Sequence, residues 1–207
     1  FALLIFRDST REQQIEKVRS DFVANASHEL RTPLTTLSGF IDTMQGAAKD
    51  DEKARGRFLS LMKAQADRMA QLIDDLLSLS RIEMSEHVRP DGEVDLVQLV
   101  AGTADLLSPV ARENGCELKL QLPASLVVTG DSAQLSQVFQ NLIENAIKYS
   151  GDGKRVTVTG RIENSFAIVV VSDNGPGIAP HHVPRLTERF YRVSVQDSRN
   201  RGGTGLG

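Results

Sequence analysis

Between Phe22 and Phe40 the chain reads FVANASHELRTPLTTLSGF, and three of its side chains could work together as a reacting group. His28 carries an imidazole, which attacks as a nucleophile once one ring nitrogen is rid of its proton. Glu29 could take the Nδ1 proton and leave Nε2 to attack, while Thr32, one turn on, could orient a water. This chemistry requires the ring to face solvent. Apolar residues recur in steps of three and four at Ile15, Val18, Phe22, Ala26, Leu30, Leu34, Leu37, Ile41 and Met44, the signature of one long amphipathic helix. His28 stands two residues from both Ala26 and Leu30, roughly 200° around the helix from each, so it points away from the apolar seam. A lone surface histidine is the bland alternative, and the nearby Glu29, Arg31 and Thr32 weigh against it. Pro33 removes a backbone N–H and crowds the Glu29 carbonyl, which predicts a bend just after the histidine.

Three further clusters lie in the second half. A helix from Asp131 to Tyr149 sets Asn141, Glu144, Asn145 and Lys148 at steps of three, four and seven, with Leu135, Val138, Phe139, Leu142, Ile143 and Ile147 on the opposite side. A solvated face explains any such stripe. Carboxamides beside a lysine also suit Mg²⁺ held together with phosphate oxygens, and the ammonium suits phosphate itself. Directly after the apolar run AIVVV comes Asp173-Asn174-Gly175-Pro176-Gly177. It is either a hairpin turn or a carboxylate at the mouth of a sheet, accepting from an exocyclic amine such as that of adenine beside glycines that let backbone approach a ring. The last cluster, Gly202-Gly203-Thr204-Gly205-Leu206-Gly207, supplies free amides for phosphates or a hinge, unless it is a flexible tail. The polar stretch from Pro180 to Asn200, with Arg189-Phe190-Tyr191-Arg192 as an aromatic anchor, reads as a lid over a pocket.

The elements that must position these groups follow from periodicity. A second helix spans about Glu52 to Met84, with Leu59, Met62, Ala66, Met69, Ile73, Leu76 and Ile82 close to a 3.5-residue repeat. Joined to the first through a turn at Gly46 to Asp51, it forms an antiparallel hairpin. One hairpin cannot cover both apolar faces, so a second copy is expected in a dimeric four-helix bundle, the alternative being a monomeric hairpin packed on the next domain. HVRPDG, from His87 to Gly92, breaks the pattern as a linker. Beyond it come a short strand at Val94, a helix from Leu96 to Glu113, strands at Glu117 to Leu122 and Leu126 to Thr129, the helix capped by Asp131, and strands at Arg155 to Ile162 and Ala167 to Val171. That order predicts an α+β sandwich with a sheet on one side and helices on the other.

Composition bounds the function. At 207 residues, 40% hydrophobic and 25% charged, the chain can bury the core of one or two domains. A net charge of -3 gives no footprint for nucleic acid. The one cysteine, Cys116, excludes an internal disulfide and fits a reducing compartment. Histidines 28, 87, 181 and 182 lack the spacing of a zinc site. The opening FALLIF is too short to span a bilayer, and both ends read as cuts in a longer protein.

In this order the motifs resemble a bacterial sensor histidine kinase. HELRTPL, His28 to Leu34, is similar to that family's phospho-acceptor box, NLIENAIKY to its N box, DNGPG to its G1 box, ERFYR to its F box and GGTGLG to its G2 box. FVANASHELRTPL and IDDLLSLSRIE look most like the phosphate-regulon branch, and RDST after an apolar run is similar to the exit of a PAS domain. The resemblance implies a dimeric four-helix bundle followed by an α/β sandwich ATP-binding domain of the histidine kinase, gyrase and chaperone ATPase type, incomplete at its C-terminal end. It divides the chain into an upstream end (1–10), a dimerisation and histidine phosphotransfer domain (11–85), a linker (86–92) and an ATP-binding domain (93–207). It implies that His28 is phosphorylated from ATP with Glu29 as base, that Thr32 holds water for dephosphorylating the partner, and that the phosphoryl group passes to an aspartate of a response regulator. It further implies that Asn145 ligates Mg²⁺, that Asn141 and Lys148 contact phosphates, and that Tyr149 lies near the nucleotide. Asp173 would read adenine beside Gly175 and Gly177, Gly203 and Gly205 would close on the phosphates, and Arg199 or Arg201 would meet γ-phosphate charge. The protein would be the cytoplasmic portion of an inner-membrane sensor, held to the membrane only by segments upstream. The alternatives are a non-catalytic dimeric scaffold and an ATPase of the gyrase and chaperone type.

Overall fold

The computed structural model describes residues 10–85, 89–151 and 153–193, which fall into two compact units. One holds the described residues up to Ser80 together with 187–193; the other holds those from Arg81 to Leu186.

The first unit is a helical hairpin of α1 (Thr10–Gln45) and α2 (Glu52–Ser85). α1 continues through Pro33 as a single helix, since one proline removes one hydrogen bond and leaves the turns on either side intact. The connection is short because Asp51 caps α2, its carboxylate accepting from the Ala54 N–H at 2.9 Å. Arg55 then donates to the Lys49 carbonyl at 3.0 Å, fastening the turn to the first coil of α2. Phe40 meets Phe58 with ring centroids 5.5 Å apart, and Glu29 meets Arg68. Moving back along α1 therefore means moving forward along α2, so the helices are antiparallel. Ala26 and Leu72 are buried between them, but Leu34, Leu59 and Leu77 remain 55%, 54% and 52% exposed and Ile41 and Ile73 are also exposed. Part of each predicted seam is left uncovered by the hairpin.

The second unit carries β1 (Glu93–Asp95), α3 (Leu96–Glu113), β2 (Glu117–Gln121), β3 (Val127–Thr129), α4 (Ser132–Tyr149), β4 (Arg155–Glu163) and β5 (Phe166–Asp173). Its strands form two sheets instead of one. β1 and β3 pair antiparallel, and β2-β4-β5 is a mixed sheet with β2 parallel and β5 antiparallel to β4. Val156 and Val158, two residues apart on the central strand, point the same way and are buried with Val100, Leu107, Leu126, Ile143 and Ile147. Asp95 and Asp131 cap α3 and α4 through Val97 N–H at 3.0 Å and Gln134 N–H at 2.9 Å. β4 turns into β5 at Asn164 and Ser165, both at positive φ, the twist a two-residue hairpin needs. On α4 the expected division of faces holds only in part. Phe139, Ile143, Ala146 and Ile147 are buried, while Val138 and Leu142 are half exposed. The buried arc is narrower than the apolar one, and those two residues lie on the arc of Asn145 and Tyr149, four, seven and eleven residues on from Val138.

Candidate functional site

His28 is exposed on α1 and lines an open cleft of about 350 Å³ with Arg31, Thr32, Thr35 and Thr36. The three hydroxyls are fixed by back-bonding one turn down the helix: Thr32 Oγ1 donates to the His28 carbonyl at 3.2 Å, Thr35 to Arg31 and Thr36 to Thr32, both at 3.0 Å. Their protons are thereby spent, and their oxygens turn acceptor lone pairs towards the cleft. The imidazole itself has no hydrogen-bond partner among the described residues.

Glu29 does not share that face. Consecutive helical residues diverge by about 100°, so its carboxylate leaves the ring and turns towards α2. There its Oε2 accepts from Arg68 Nη2 at 3.3 Å and lies 3.7 Å from Arg192 Nη1. The segment that brings Arg192 is seated on α1. Phe190 packs on Phe22 at 5.8 Å between centroids, and the Arg189 guanidinium lies 5.4 Å over the Phe22 ring. Phe190 takes φ 63, a conformation costly for a bulky residue and held here by that packing. The expected aromatic anchor is thus real in position. Its partner here is α1 within the helical unit, and residues 194–200 of the expected lid lie outside the described residues.

The other polar clusters meet at one end of the second unit. Asn141, Asn145 and Lys148 are partly exposed on α4, and Tyr149 is 36% exposed at its end. Gln137 Nε2 donates to Asn141 Oδ1 at 2.9 Å, and Gln140 does the same for Glu144. These i, i+4 bonds pin the stripe in place. Asp173 ends β5, and its Oδ1 accepts from the Gly175 N–H at 2.7 Å, which folds the chain into a tight turn and fixes the carboxylate's direction. That turn presses on the end of α4. A Cβ on Gly175 would lie 2.2 Å from the Tyr149 carbonyl oxygen, so no other residue fits without moving backbone. Gly177 follows at φ +73. Tyr149 and Asp173 are thereby brought together, with Asn145 and Asn141 one and two turns up α4. Gly203, Gly205, Arg199 and Arg201 lie outside the described residues. Sequence patterns missed Arg68, thirty-nine residues from its partner Glu29, because only spacings of three or four on one helix betray a pair.

The donor set suits a hard cation held through phosphate. Among the described residues no three His, Cys, Asp or Glu side chains gather to bind a metal, and Asn145 offers a neutral oxygen, the partner Mg²⁺ takes when it keeps phosphates and waters as its other ligands.

A surface histidine on a helical hairpin, followed in the chain by an α/β domain whose helix end faces a carboxylate and a glycine turn, defines the catalytic core of a histidine kinase. Residues 18–85 match the His Kinase A (phospho-acceptor) domain, and residues 130–207 match the histidine kinase-, DNA gyrase B- and HSP90-like ATPase. The chain belongs to the sensor histidine kinases of two-component systems. It resembles the phosphate regulon sensor protein PhoR of Pseudomonas aeruginosa, 38% identical over 99% of this chain and 46% of that protein. SenX3 of Mycolicibacterium smegmatis is 34% identical over all of this chain and 54% of its own length. The chain therefore spans about half the length of these curated relatives. Among solved structures, Acinetobacter baumannii histidine kinase AdeS superposes with a TM-score of 0.65 at 28% identity, over 86% of this chain and 82% of that one. ThkA, solved in complex with the response regulator TrrA, shares the fold with a TM-score of 0.73 over 89% of this chain and 54% of that one. Among the described residues no helix is long and apolar enough to cross a membrane.

Proposed function

We propose that the protein is an ATP-dependent histidine autokinase that passes its phosphoryl group to an aspartate of a response regulator and also dephosphorylates it. The observation that carries this reading is the solvent-facing imidazole of His28 in a hydroxyl-lined cleft within a phospho-acceptor domain. Nε2 of His28 attacks the γ-phosphorus of ATP; the N–P bond forms as the bond to the β,γ-bridging oxygen breaks, and ADP leaves. The Nδ1 proton passes to Glu29 after that side chain turns away from Arg68 and Arg192, which hold it in this structure. Thr32, its proton committed to the His28 carbonyl, is set to accept from a water during dephosphorylation.

At the nucleotide end, Asp173 Oδ2 accepts the adenine amine while Oδ1 stays bound to the Gly175 N–H. Gly175 and Gly177 shape the wall beside the ring, and Tyr149 borders it. Asn141 and Lys148 contact phosphates, joined by Gly203, Gly205 and either Arg199 or Arg201 from beyond the described residues. Asn145 would hold Mg²⁺, which when bound neutralises charge on the transferring phosphoryl group. Phosphoryl transfer needs alignment and charge neutralisation more than covalent help, so the work divides naturally between a carrier and a holder. We assign residues 11–85 to the carrier, 86–92 to a linker and 93–207 to the holder. The exposed Leu34, Ile41, Leu59, Ile73 and Leu77 support burial of the hairpin against a second copy. The chain is read as the cytoplasmic part of a membrane-anchored, phosphate-sensing kinase.

The test is incubation with γ-labelled ATP. Label that is labile to acid, stable to alkali and absent from His28→Ala is expected; label that persists in the variant removes His28 from this role.

A further inference from the structure

We infer that Asn174 is a positioning residue for adenine recognition, tying the exit of β5 to the loop after α4 so that Asp173 keeps a fixed relation to the helix that carries Asn145 and Lys148. This rests on the reading of Asp173 as the group that accepts the adenine amine.

Asn174 looks at first like an ordinary turn residue. It is exposed, it precedes a glycine, and asparagine suits turns for local reasons alone. Its side chain, however, also reaches far along the chain. Oδ1 accepts from the backbone N–H of Arg155 at 2.8 Å, and Nδ2 donates to the backbone carbonyl of Gly153 at 3.2 Å. The partners lie nineteen and twenty-one residues away in the chain. One is a donor and the other an acceptor, so the carboxamide fits in one orientation only. The amide thus stands in for a strand pair just beyond the point where the ladder of β4 and β5 ends at Val156 and Asp173.

The backbone repeats the same connection. A Cβ on Gly151 would lie 2.7 Å from the Asn174 carbonyl oxygen, and one on Gly175 would lie 2.2 Å from that of Tyr149. The main chain at Tyr149 and Gly151 therefore closely approaches that at Gly175 and Asn174. Side chains at the end of α4 and the carboxylate at the end of β5 belong to different elements, and Asn174 links the β5 exit to the loop after α4 by two directed bonds. If it is lost, the α4 end and Asp173 can drift apart without unfolding the sheet, whose ladder does not use it. The ring-reading contact then fails while phosphate contacts persist. GTP carries an oxygen where adenine carries its amine, so the ratio of ATP to GTP affinity reports alignment of Asp173 and is insensitive to a uniform loss of folded protein.

Equilibrium dialysis with ATP and with GTP, on the intact protein, tests this. Asn174→Ala is expected to lower the ATP:GTP affinity ratio about tenfold, the value of one well-aligned hydrogen bond. Asn174→Asp keeps an acceptor for the Arg155 N–H but loses the donor to the Gly153 carbonyl, so it is expected to lower the ratio by a smaller factor than Asn174→Ala does. An unchanged ratio in Asn174→Ala overturns the inference. Should Asn174→Ala fail to fold, an unchanged ratio in Asn174→Asp overturns it instead. Asp173→Asn, run in parallel, separates the two layers. If it leaves the preference intact, or if the wild type has none, the Asp173 reading itself is wrong; if it removes the preference while Asn174→Ala does not, only the role of Asn174 falls.

Discussion

Around His28 every side chain lining the cleft comes from nine consecutive residues of one helix, 28–36. Around Asp173 the neighbours come from the end of α4, the loop after it and the exit of β5, and they meet backbone to backbone. A site made from one helix face needs only the helix, so its neighbours can be exposed, exchanged or covered by a partner. A site made from three segments needs a packed core beneath it. The same contrast runs through the apolar residues: Leu34 on the hairpin is 55% exposed, whereas Ile143 under the nucleotide end is at 0%.

The largest effect should come from attacking that core. Ile143→Ala is expected to cost about 2–5 kcal/mol, at any protein concentration, with nucleotide binding lost as the α4 end loosens. Leu34→Ala should cost less than about 0.5 kcal/mol within the hairpin and act instead through concentration-dependent association. Denaturant melts at two protein concentrations separate these, and equal, concentration-independent costs would break the contrast. Next in size is Gly175→Ala, where the added methyl forces backbone apart at Tyr149. A loss of about 1–3 kcal/mol is expected, together with weaker ATP binding; a variant as stable and as tight as wild type would show the contact to be loose. Arg68→Ala should cost about 1 kcal/mol or less, because the side chains it pairs are 17% and 25% exposed and screening is partial. Its clearer readout is the autophosphorylation rate, which should rise as Glu29 is left to Arg192 alone; an unaltered rate would separate the Arg68 pair from the chemistry.

The smallest effect concerns His182. Burial, then the neighbouring His181 and Arg185, hold its pKa below the ordinary histidine value. The folded state thus takes up the proton less readily than the unfolded chain does. Stability from this group is complete above about pH 6.5 and declines as pH falls below it. His182→Gln should flatten that decline in thermal melts between pH 7.5 and 5.5; a slope that survives the substitution assigns it to other groups.

Much of this was visible in the residues alone, and for definable reasons. α4 up to Tyr149 follows from the Asp131 cap and a 3.6-residue apolar period, both local signals, and α3 at Leu96–Glu113 was legible too, though its Asp95 cap was not read. The histidine's exposure follows from its angle to the seam. What escaped is what local signals do not encode: the division of the strands into two sheets, the exposure of Val138 and Leu142, and the grip of Arg68 on Glu29. Each depends on which distant element arrives beside a residue. The segment with Phe190 shows this most directly. Its aromatic character was evident, but the choice of Phe22 as its seat was not.

The parallel pairing of β2 with β4 also fixes an order of events at the ribosome. Gln121 is synthesised well before Thr159, its partner in the ladder, and at roughly 5–20 residues per second the interval lasts a few seconds. Throughout it β2 has no neighbour to pair with, whereas α1 and α2 are already complete. β2 is therefore exposed to mispairing during this window, as β1 is until β3 emerges, and a pause in translation just before Arg155 would lengthen the wait of β2.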